Sequence, residues 1–298
     1  MTAEDHHGAP PLPPGRAVEL PGRGRTFVRE LAGPAGAPAV LLLHGWTATA
    51  DLNWFPAYGA LGRRYRVVAL DHRGHGRGIR SRRRFRLADC ADDAAALCDA
   101  LGIDRVVAVG YSMGGPIASL LAYRHPELVS GLVLCATAAR FAESPSERAA
   151  FVGLAGLSQA VRMTPKQVVA RLGDRIMTGR VQDSPIAQWA RSEVARGNPR
   201  MVLEAGASLG RFSSLAWIGG LEVPAAVVVS TQDRVVAPRR QLELAAALPG
   251  AVVHRVDMDH AGCVTAARRF VPALLRSVSD VVGASPPARR AVREPAPA

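Results

Sequence analysis

The sequence predicts an α/β protein with a doubly wound, mainly parallel β-sheet and an inserted helical segment. Short runs of apolar and β-branched residues recur along the chain, which is typical of strands buried on both faces of a parallel sheet. Helical stretches separate several of these runs, and this alternation indicates a sheet covered by helices. The runs are residues 39–43, 65–70, 105–109, 132–135, 225–229 and 252–256.

The other core elements follow from their positions relative to these runs. Residues 25–31 are expected to add an antiparallel edge strand near the start of the chain. Two helices are predicted at residues 89–101 and 113–125, and Pro126 ends the second of them. These elements define an α/β core formed by residues 17–137 and 219–278.

Residues 138–218 interrupt the alternation of strands and helices. They consist of helix-like pieces separated by prolines and contain no convincing strand, so we expect a helical insertion between two strands of the sheet. Its large apolar side chains either pack within the protein or line a substrate pocket. The Pro- and Ala-rich ends of the chain, residues 1–16 and 279–298, are expected to be disordered tails.

The positive charge of the chain is concentrated in one segment. The 298 residues carry 37 Lys+Arg against 25 Asp+Glu, and ten arginines with only two acids fall within residues 61–90. This segment is either a solvated arginine face or a basic patch that attracts anionic lipid head groups or anionic substrates. Nucleic-acid binding is not expected, because no nucleic-acid-reading motif accompanies the patch. The membrane interpretation assigns a weak contact with anionic surfaces to Arg80, Arg82, Arg83, Arg84 and Arg86.

The cysteines and the amino terminus indicate a cytoplasmic protein. The four cysteines form no CxxC pair and are too few for a disulfide scaffold, so free thiols in a reducing compartment are expected. The first residues lack the basic start and the apolar run of a signal peptide. No apolar stretch approaches the ~20 residues of a membrane-spanning helix.

The clearest chemical motif is Gly-Tyr-Ser-Met-Gly-Gly at residues 110–115. It directly follows a predicted strand and opens a predicted helix, which is the context of a nucleophile elbow. In such an elbow a sharp turn presents Ser112, and the glycines at Gly110 and Gly114 permit the close backbone approach. A serine at a helix start is often only an N-cap, but the preceding strand favours a nucleophile here.

A serine hydroxyl needs a general base, and that base needs an orienting carboxylate. Asp233 follows the predicted strand 225–229, and His260 follows the predicted strand 252–256. Because the carboxyl ends of parallel strands meet at one edge of the sheet, both side chains are expected beside Ser112. Either residue alone could be a turn cap or a surface side chain. The alternative candidates for the two roles are Asp257, Asp259 and His254.

A tetrahedral intermediate also needs amide donors for its oxyanion. We expect one from Met113, the residue after the nucleophile, and a second from Trp46 in the sequence His-Gly-Trp that follows strand 39–43. Gly45 gives the backbone the freedom to turn, and His44 is expected to be structural. Each donor would contribute roughly 3–4 kcal/mol of transition-state stabilisation.

These motifs resemble those of the α/β-hydrolase fold superfamily, and the resemblance covers roughly residues 25–278. It implies a triad of Ser112, Asp233 and His260, an oxyanion hole formed by the Trp46 and Met113 amides, and a helical cap formed by residues 138–218. It disfavours the branches with an aspartate nucleophile, because serine occupies the elbow. The matching pieces are residues 44–46, 70–77, 110–115, 232–234 and 259–261.

The predicted activity is hydrolysis of a carboxylic ester with an apolar acyl group, through an acyl-enzyme and without a cofactor. The expected partner is a small-molecule ester or acyl substrate. His72 and His75 form a His-x-x-His pattern beside Asp71, but the glycines around them favour a turn and no metal is expected. The same triad would also serve a cofactor-free haloperoxidase (perhydrolase), a carbon–carbon bond hydrolase or a thioesterase. The alternative of another class is a non-catalytic ligand receptor on a hydrolase fold.

Overall fold

The computed structural model describes residues 9–164 and 184–284. Within them the strands are β1 (Gly15–Leu20), β2 (Gly24–Leu31), β3 (Ala39–Leu43), β4 (Arg66–Leu70), β5 (Val106–Tyr111), β6 (Val129–Cys135), β7 (Ala225–Ser230) and β8 (Val252–Val256). They form one sheet in the order β1-β2-β4-β3-β5-β6-β7-β8. The pairs β1–β2 and β2–β4 are antiparallel and the other pairs are parallel. The predicted α/β, mainly parallel architecture is confirmed.

Helices cover both faces of this sheet. They are α1 (Ala50–Gly62), α2 (Leu87–Ala100), α3 (Gly114–Arg124), α4 (Pro145–Met163), α5 (Pro185–Ala195), α6 (Pro199–Arg211), α7 (Pro238–Ala247), α8 (Gly262–Thr265) and α9 (Ala267–Gly283). On β3, Leu41 and Leu43 join the core cluster that contains α2 and α3, whereas Val40 and Leu42 join the cluster that contains α1 and α9. Successive side chains of a strand point to opposite faces. Burial of both faces therefore explains the continuous apolar runs in the sequence.

The structure differs from the expectations at both ends of the chain. The strand β1 begins at Gly15, inside the segment 1–16 that was expected to be a tail, and it makes β2 an inner strand instead of the predicted edge strand. Only Val18 and Leu20 of β1 are buried, so the strand has little of the apolar signal that marks the inner strands. At the other end α9 continues to Gly283, and only residues 285–298 of the predicted tail lie outside the described residues.

The insertion between β6 and β7 contains α4, α5 and α6. Each of these helices starts at a proline, namely Pro145, Pro185 and Pro199. Proline suits the first turn of a helix, where its missing N–H costs no hydrogen bond. The prolines that punctuate the insertion therefore mark helix starts, while residues 165–183, including Pro165, lie outside the described residues.

The insertion packs closely upon itself through glycines of α6. A Cβ at Gly206 would lie 2.6 Å from Leu154 Cδ1, and one at Gly210 would lie 2.2 Å from Phe151 Cβ, so α4 approaches α6 where two side chains are missing. None of the helices in the described part of the chain is both long and apolar enough to cross a membrane.

Candidate active site

The turn between β5 and α3 presents Ser112 at the carboxyl end of the central strand. Ser112 has a φ of 52°, in the left-handed region that side chains seldom adopt. A Cβ at Gly110 would lie 2.2 Å from the Gly114 carbonyl oxygen, and one at Gly114 would lie 2.0 Å from the Leu43 carbonyl oxygen. The two predicted glycines are thus required by the close approach of three backbone segments at this turn.

Hydrogen bonds from the neighbouring strand hold this turn in place. The Ser112 amide donates to the Cys135 carbonyl at 2.9 Å, and Thr137 Oγ1 donates to the Ser112 carbonyl at 2.8 Å. A Cβ at Gly115 would lie 2.3 Å from Thr137 Oγ1, so the helix α3 starts directly against this threonine. Thr137 lies beyond the end of β6 and outside any motif, so nothing in the sequence marks it as a site residue.

The structure brings Ser112, His260 and Asp233 together. His260 Nε2 lies 3.0 Å from Ser112 Oγ, and His260 Nδ1 lies 2.7 Å from Asp233 Oδ2. A carboxylate oxygen can only accept a hydrogen bond, so the Nδ1 atom carries the proton and Nε2 accepts the serine hydroxyl. These distances match the hydrogen-bond geometry that a serine nucleophile, a histidine base and an orienting carboxylate would need.

The alternative candidates for base and carboxylate have other partners. His254 Nε2 contacts Asp280 Oδ2 at 2.6 Å on the edge strand β8. Asp257 pairs with the exposed Arg269, and Asp259 Oδ1 accepts the Ala261 amide at 3.0 Å. None of the three alternatives has a hydrogen bond to the Ser112 or His260 side chain among the contacts of the described residues.

The Asp233 carboxylate is fixed by several donors. Its Oδ1 accepts the Val235 and Val236 amides, each at 2.8 Å. Its Oδ2 accepts Gln241 Nε2 at 3.2 Å in addition to the imidazole, and Gln241 Oε1 in turn accepts the Ser230 amide at 2.9 Å. Gln241 therefore fixes the carboxylate to the end of β7. Sequence reasoning missed Gln241, because a glutamine in a polar helix carries no signal of such a contact.

Two backbone amides beside Ser112 are available for an oxyanion. In the segments 9–164 and 184–284, neither the Trp46 amide nor the Met113 amide donates to a protein acceptor. The Gly45 amide donates a hydrogen bond to Asn53 Oδ1 at 2.7 Å. The next backbone donor in this turn is therefore the Trp46 amide. A Cβ at Gly45 would lie 3.3 Å from Ser112 Cβ, which places the turn directly against the serine.

Three buried histidines lie next to the turn that contains Gly45 and Trp46. His44 Nδ1 donates to the Gly45 carbonyl at 2.8 Å, and His44 Nε2 accepts the His72 amide at 2.9 Å, which fixes a neutral tautomer. The His72 and His75 rings lie 4.3 Å and 5.4 Å from the His44 ring. Burial lowers the pKa of His44 to about 4 and that of His75 to about 3, and lowers the pKa of His72 well below its usual value. Among the described residues no group of three or more His, Cys, Asp or Glu is arranged to hold a metal ion.

Several arginines of the basic segment form internal ion pairs. Arg73 makes two hydrogen bonds of 2.7 Å with the buried Asp93, one to each carboxylate oxygen. Arg77 Nη2 lies 2.7 Å from Asp51 and 3.5 Å from Glu193 of the insertion. By contrast, seven arginines of the segment are exposed on the surface, namely Arg63, Arg64, Arg80, Arg82, Arg83, Arg84 and Arg86. Of these, Arg80 also donates from Nη2 to the Gly76 carbonyl at 2.6 Å.

Comparison with known proteins agrees with this architecture. A family model described as the alpha/beta hydrolase fold matches residues 38–267. The chain belongs to the α/β-hydrolase family and is a hydrolase of that fold. It is 28% identical over 286 residues to a poly(3-hydroxyalkanoate) depolymerase of Ectopseudomonas oleovorans, covering 95% of this chain and 96% of the relative.

Solved structures show the same fold over most of the chain. A hydrolase from Pseudomonas aeruginosa PA01 superposes with a TM-score of 0.75 at 23% identity, over 91% of this chain and 98% of the other. A thermophilic esterase from Thermogutta terrifontis superposes with a TM-score of 0.71 at 22% identity, over 90% and 99% of the two chains.

Proposed function

We propose that the protein is a serine hydrolase that cleaves a carboxylic ester through an acyl-enzyme. The observation that carries this proposal is the continuous contact from Asp233 through His260 to Ser112, with separations of 2.7 Å and 3.0 Å. Beside it are two backbone amides that have no acceptor among the described residues. This supports the proposal, because acyl transfer requires a nucleophile, a base and an electrophilic stabiliser at one point.

In the proposed mechanism His260 Nε2 takes the proton of Ser112 while Oγ attacks the ester carbonyl. The carbonyl oxygen becomes an oxyanion that accepts hydrogen bonds from the Trp46 and Met113 amides. His260 then gives the proton to the leaving alcohol, which leaves an acyl group on Ser112. A water molecule that loses its proton to His260 attacks this acyl group and releases the acid. Asp233 keeps Nδ1 protonated and stabilises the imidazolium in both halves of the reaction.

We infer an ester with an apolar acyl group as the substrate, with the helical insertion acting as a cap over Ser112. Two observations support this. The Trp46 indole lies against Gly206, which in turn contacts Leu154. Apolar surface of the insertion therefore begins beside the turn formed by residues 44–47, here called the oxyanion turn. In addition, the full-length relative is a depolymerase of poly(3-hydroxyalkanoate), a polyester. Esters of 3-hydroxyalkanoic acids are therefore the first substrates to test.

The proposal is tested with Ser112→Ala and a matched Ser119→Ala variant, in which the replaced serine is buried in the adjacent helix α3. A fluorophosphonate probe is expected to label the wild type and Ser119→Ala but not Ser112→Ala, and turnover of p-nitrophenyl esters should follow the labelling. Labelling that persists in Ser112→Ala would place the nucleophile elsewhere.

A substrate panel then separates the possible reactions of the same triad. We expect faster turnover of p-nitrophenyl and 3-hydroxyalkanoate esters than of acyl thioesters, carbon–carbon bond substrates or peracid formation. Preference for any of these other substrates would replace the ester assignment. Binding of an ester without turnover or labelling would identify a ligand receptor instead.

We further propose that the enzyme works in the cytoplasm. All four cysteines, Cys90, Cys98, Cys135 and Cys263, are free and buried, which supports a reducing compartment. Cells are lysed into acid to stop thiol exchange, and the denatured protein is then alkylated near neutral pH, where the thiolate reacts. All four thiols are expected to be modified, and recovery of a disulfide would contradict the assignment.

A further inference from the structure

Hydrogen bonds to α1 and to α6 hold the oxyanion turn, and the second of these anchors belongs to the insertion. On the core side the Gly45 amide donates to Asn53 Oδ1 of α1 at 2.7 Å. On the insertion side the indole Nε1 of Trp46 donates to the Val202 carbonyl of α6 at 2.7 Å, across 156 residues of sequence. The same residue thus supplies the proposed oxyanion amide and, through its side chain, the link to the insertion.

The contact between the indole and α6 depends on a missing side chain. A Cβ at Gly206 would lie 2.6 Å from Trp46 Cζ2 and 3.1 Å from Cε2. Any larger residue at this position would displace the ring or the helix, since real Cβ contacts are not this short. The indole is therefore held by a hydrogen bond at Val202 and by close packing one turn further along the helix at Gly206.

Helix α6 itself is attached firmly to the core, so it can serve as a fixed support. The Asn198 amide donates to the Gly74 carbonyl at 2.7 Å, and Glu204 Oε2 accepts the Phe85 amide at 2.9 Å. Arg200 bridges the same two parts, since it donates to Ser81 O at 2.5 Å and to Glu204 at 2.7 Å. These contacts join α6 to the arginine-rich segment that follows β4.

The turn needs such support because its backbone is strained. Thr47, directly after Trp46, has a φ of 62°. A β-branched residue seldom adopts this region and persists there only where its surroundings enforce it. If the indole were free, the turn could relax and carry the Trp46 amide away from Ser112.

We propose that the Trp46 side chain is a positioning residue, which anchors the oxyanion-hole amide of its own backbone to helix α6 of the insertion. The inference rests on the proposed function, because it assigns a role within that active site. It makes the insertion part of the catalytic geometry, in addition to any part it takes in covering the substrate.

The test uses Trp46→Phe, which keeps an aromatic ring and removes the N–H donor. We expect kcat for a p-nitrophenyl ester to fall about tenfold, between the ~5-fold effect of one neutral hydrogen bond and the ~10²–10³-fold effect of a whole oxyanion donor. KM should change by less than about threefold, because the donor acts in the transition state. The rate of phosphonylation of Ser112 by the fluorophosphonate should fall by the same factor as kcat, since the phosphoryl oxygen uses the same amides.

The matched control is Trp217→Phe. The Trp217 ring packs on Tyr123 and Phe212, and its replacement should leave both rates unchanged.

A second variant tests the packing contact independently of the hydrogen bond. Gly206→Ala should also lower kcat, because its methyl group displaces the indole, and it should do so less in the Trp46→Phe background, where the Cζ2 atom is absent. Equal effects in both backgrounds would assign the loss to Leu154 instead and overturn this step. Trp46→Phe protein with kcat and phosphonylation within twofold of the wild type would overturn the proposal as a whole. Absence of labelling in the wild type would instead refute the proposed function, so the two failures are distinguishable.

Discussion

Lowering the pH from 7 to 5 should destabilise the protein through the three histidines beneath the oxyanion turn. His44, His72 and His75 are fully buried and stay neutral in the folded state, because burial lowers their pKa values. In the unfolded chain each imidazole has a pKa near 6.5 and takes up a proton within this range. The unfolded state therefore binds more protons as the pH falls, and stability decreases with it.

The size of the effect follows from the two pKa values that the structure defines. For His44, with a folded pKa of about 4, linkage gives a loss of about 2 kcal/mol between pH 7 and pH 5. His75, with a folded pKa of about 3, loses a similar ~2 kcal/mol over the same range. His72 changes in the same direction. The stability from these groups is fully present above pH 6.5. It is lost as the pH falls towards the folded pKa values of about 4 for His44 and about 3 for His75. A loss of ~4 kcal/mol is a large part of the 5–15 kcal/mol of a typical domain.

The assay is urea unfolding followed by tryptophan fluorescence at half-unit pH steps between 7 and 5. In His75→Phe the slope of the unfolding free energy against pH should fall by about one proton, or ~1.4 kcal/mol per pH unit. Phe85→Leu, beside the His75 ring, is the matched control, since it should lower stability equally at every pH. A wild-type slope below half a proton between pH 6 and 5, or an unchanged slope in His75→Phe, would refute the reasoning.

Three further predictions concern the carboxylate, the buried arginines and the exposed arginines. Gln241→Leu removes a hydrogen bond to a charged oxygen of Asp233, which is worth about 1.5–3 kcal/mol. It should lower kcat by at least tenfold and leave the extent of Ser112 labelling unchanged. Unchanged ester turnover would contradict the positioning role of Gln241. Arg77→Gln leaves Asp51 and Glu193 with one fewer cation and should lower the free energy of unfolding in urea by about 3 kcal/mol. The exposed Arg83→Gln, as the control, should lower it by less than ~0.5 kcal/mol. Equal losses would show that the buried ion pairs do not contribute to stability. We also propose that the exposed arginines contact anionic membranes. Replacement of Arg82, Arg83 and Arg84 by Gln should abolish co-sedimentation of the protein with phosphatidylserine vesicles at low salt. Unchanged co-sedimentation would contradict this proposal.

The sequence predicted the inner strands and the site residues on their ends for one physical reason. A strand such as β3 is buried on both faces, so every position is apolar and the run is recognisable without knowledge of its neighbours. The residue that follows such a strand must lie at one edge of a parallel sheet. This is why Ser112, Asp233 and His260 could be placed close together before any contact between them was known.

The residues that hold the site were not predictable, because each acts through one contact with a distant part of the chain. Thr137, Gln241 and Asn53 are ordinary polar residues in sequence, and each has a role only through the backbone or carboxylate group that lies opposite it in the fold. Strand β1 was missed for a related reason: it borders solvent, so only two of its six residues carry apolar burial. The solvent-facing positions of such a strand need not be apolar, so the strand shows no continuous apolar run in the sequence.

The basic segment shows how the charge of a sequence window differs from the charge of a surface. The arginines at 73 and 77 are neutralised by Asp93, Asp51 and Glu193, all of which lie outside residues 61–90.

The basic segment also supplies backbone groups that hold helix α6, namely Gly74 O, Ser81 O and the Phe85 amide. Through α6 it reaches the Trp46 indole and hence the proposed oxyanion amide. The arginine-rich segment therefore supports the proposed active site through its backbone groups, whereas its exposed arginines can meet an anionic partner. For this reason the membrane test uses arginines 82–84 alone, and an accompanying loss of ester turnover in that variant would mean that the support of α6 extends into the exposed patch.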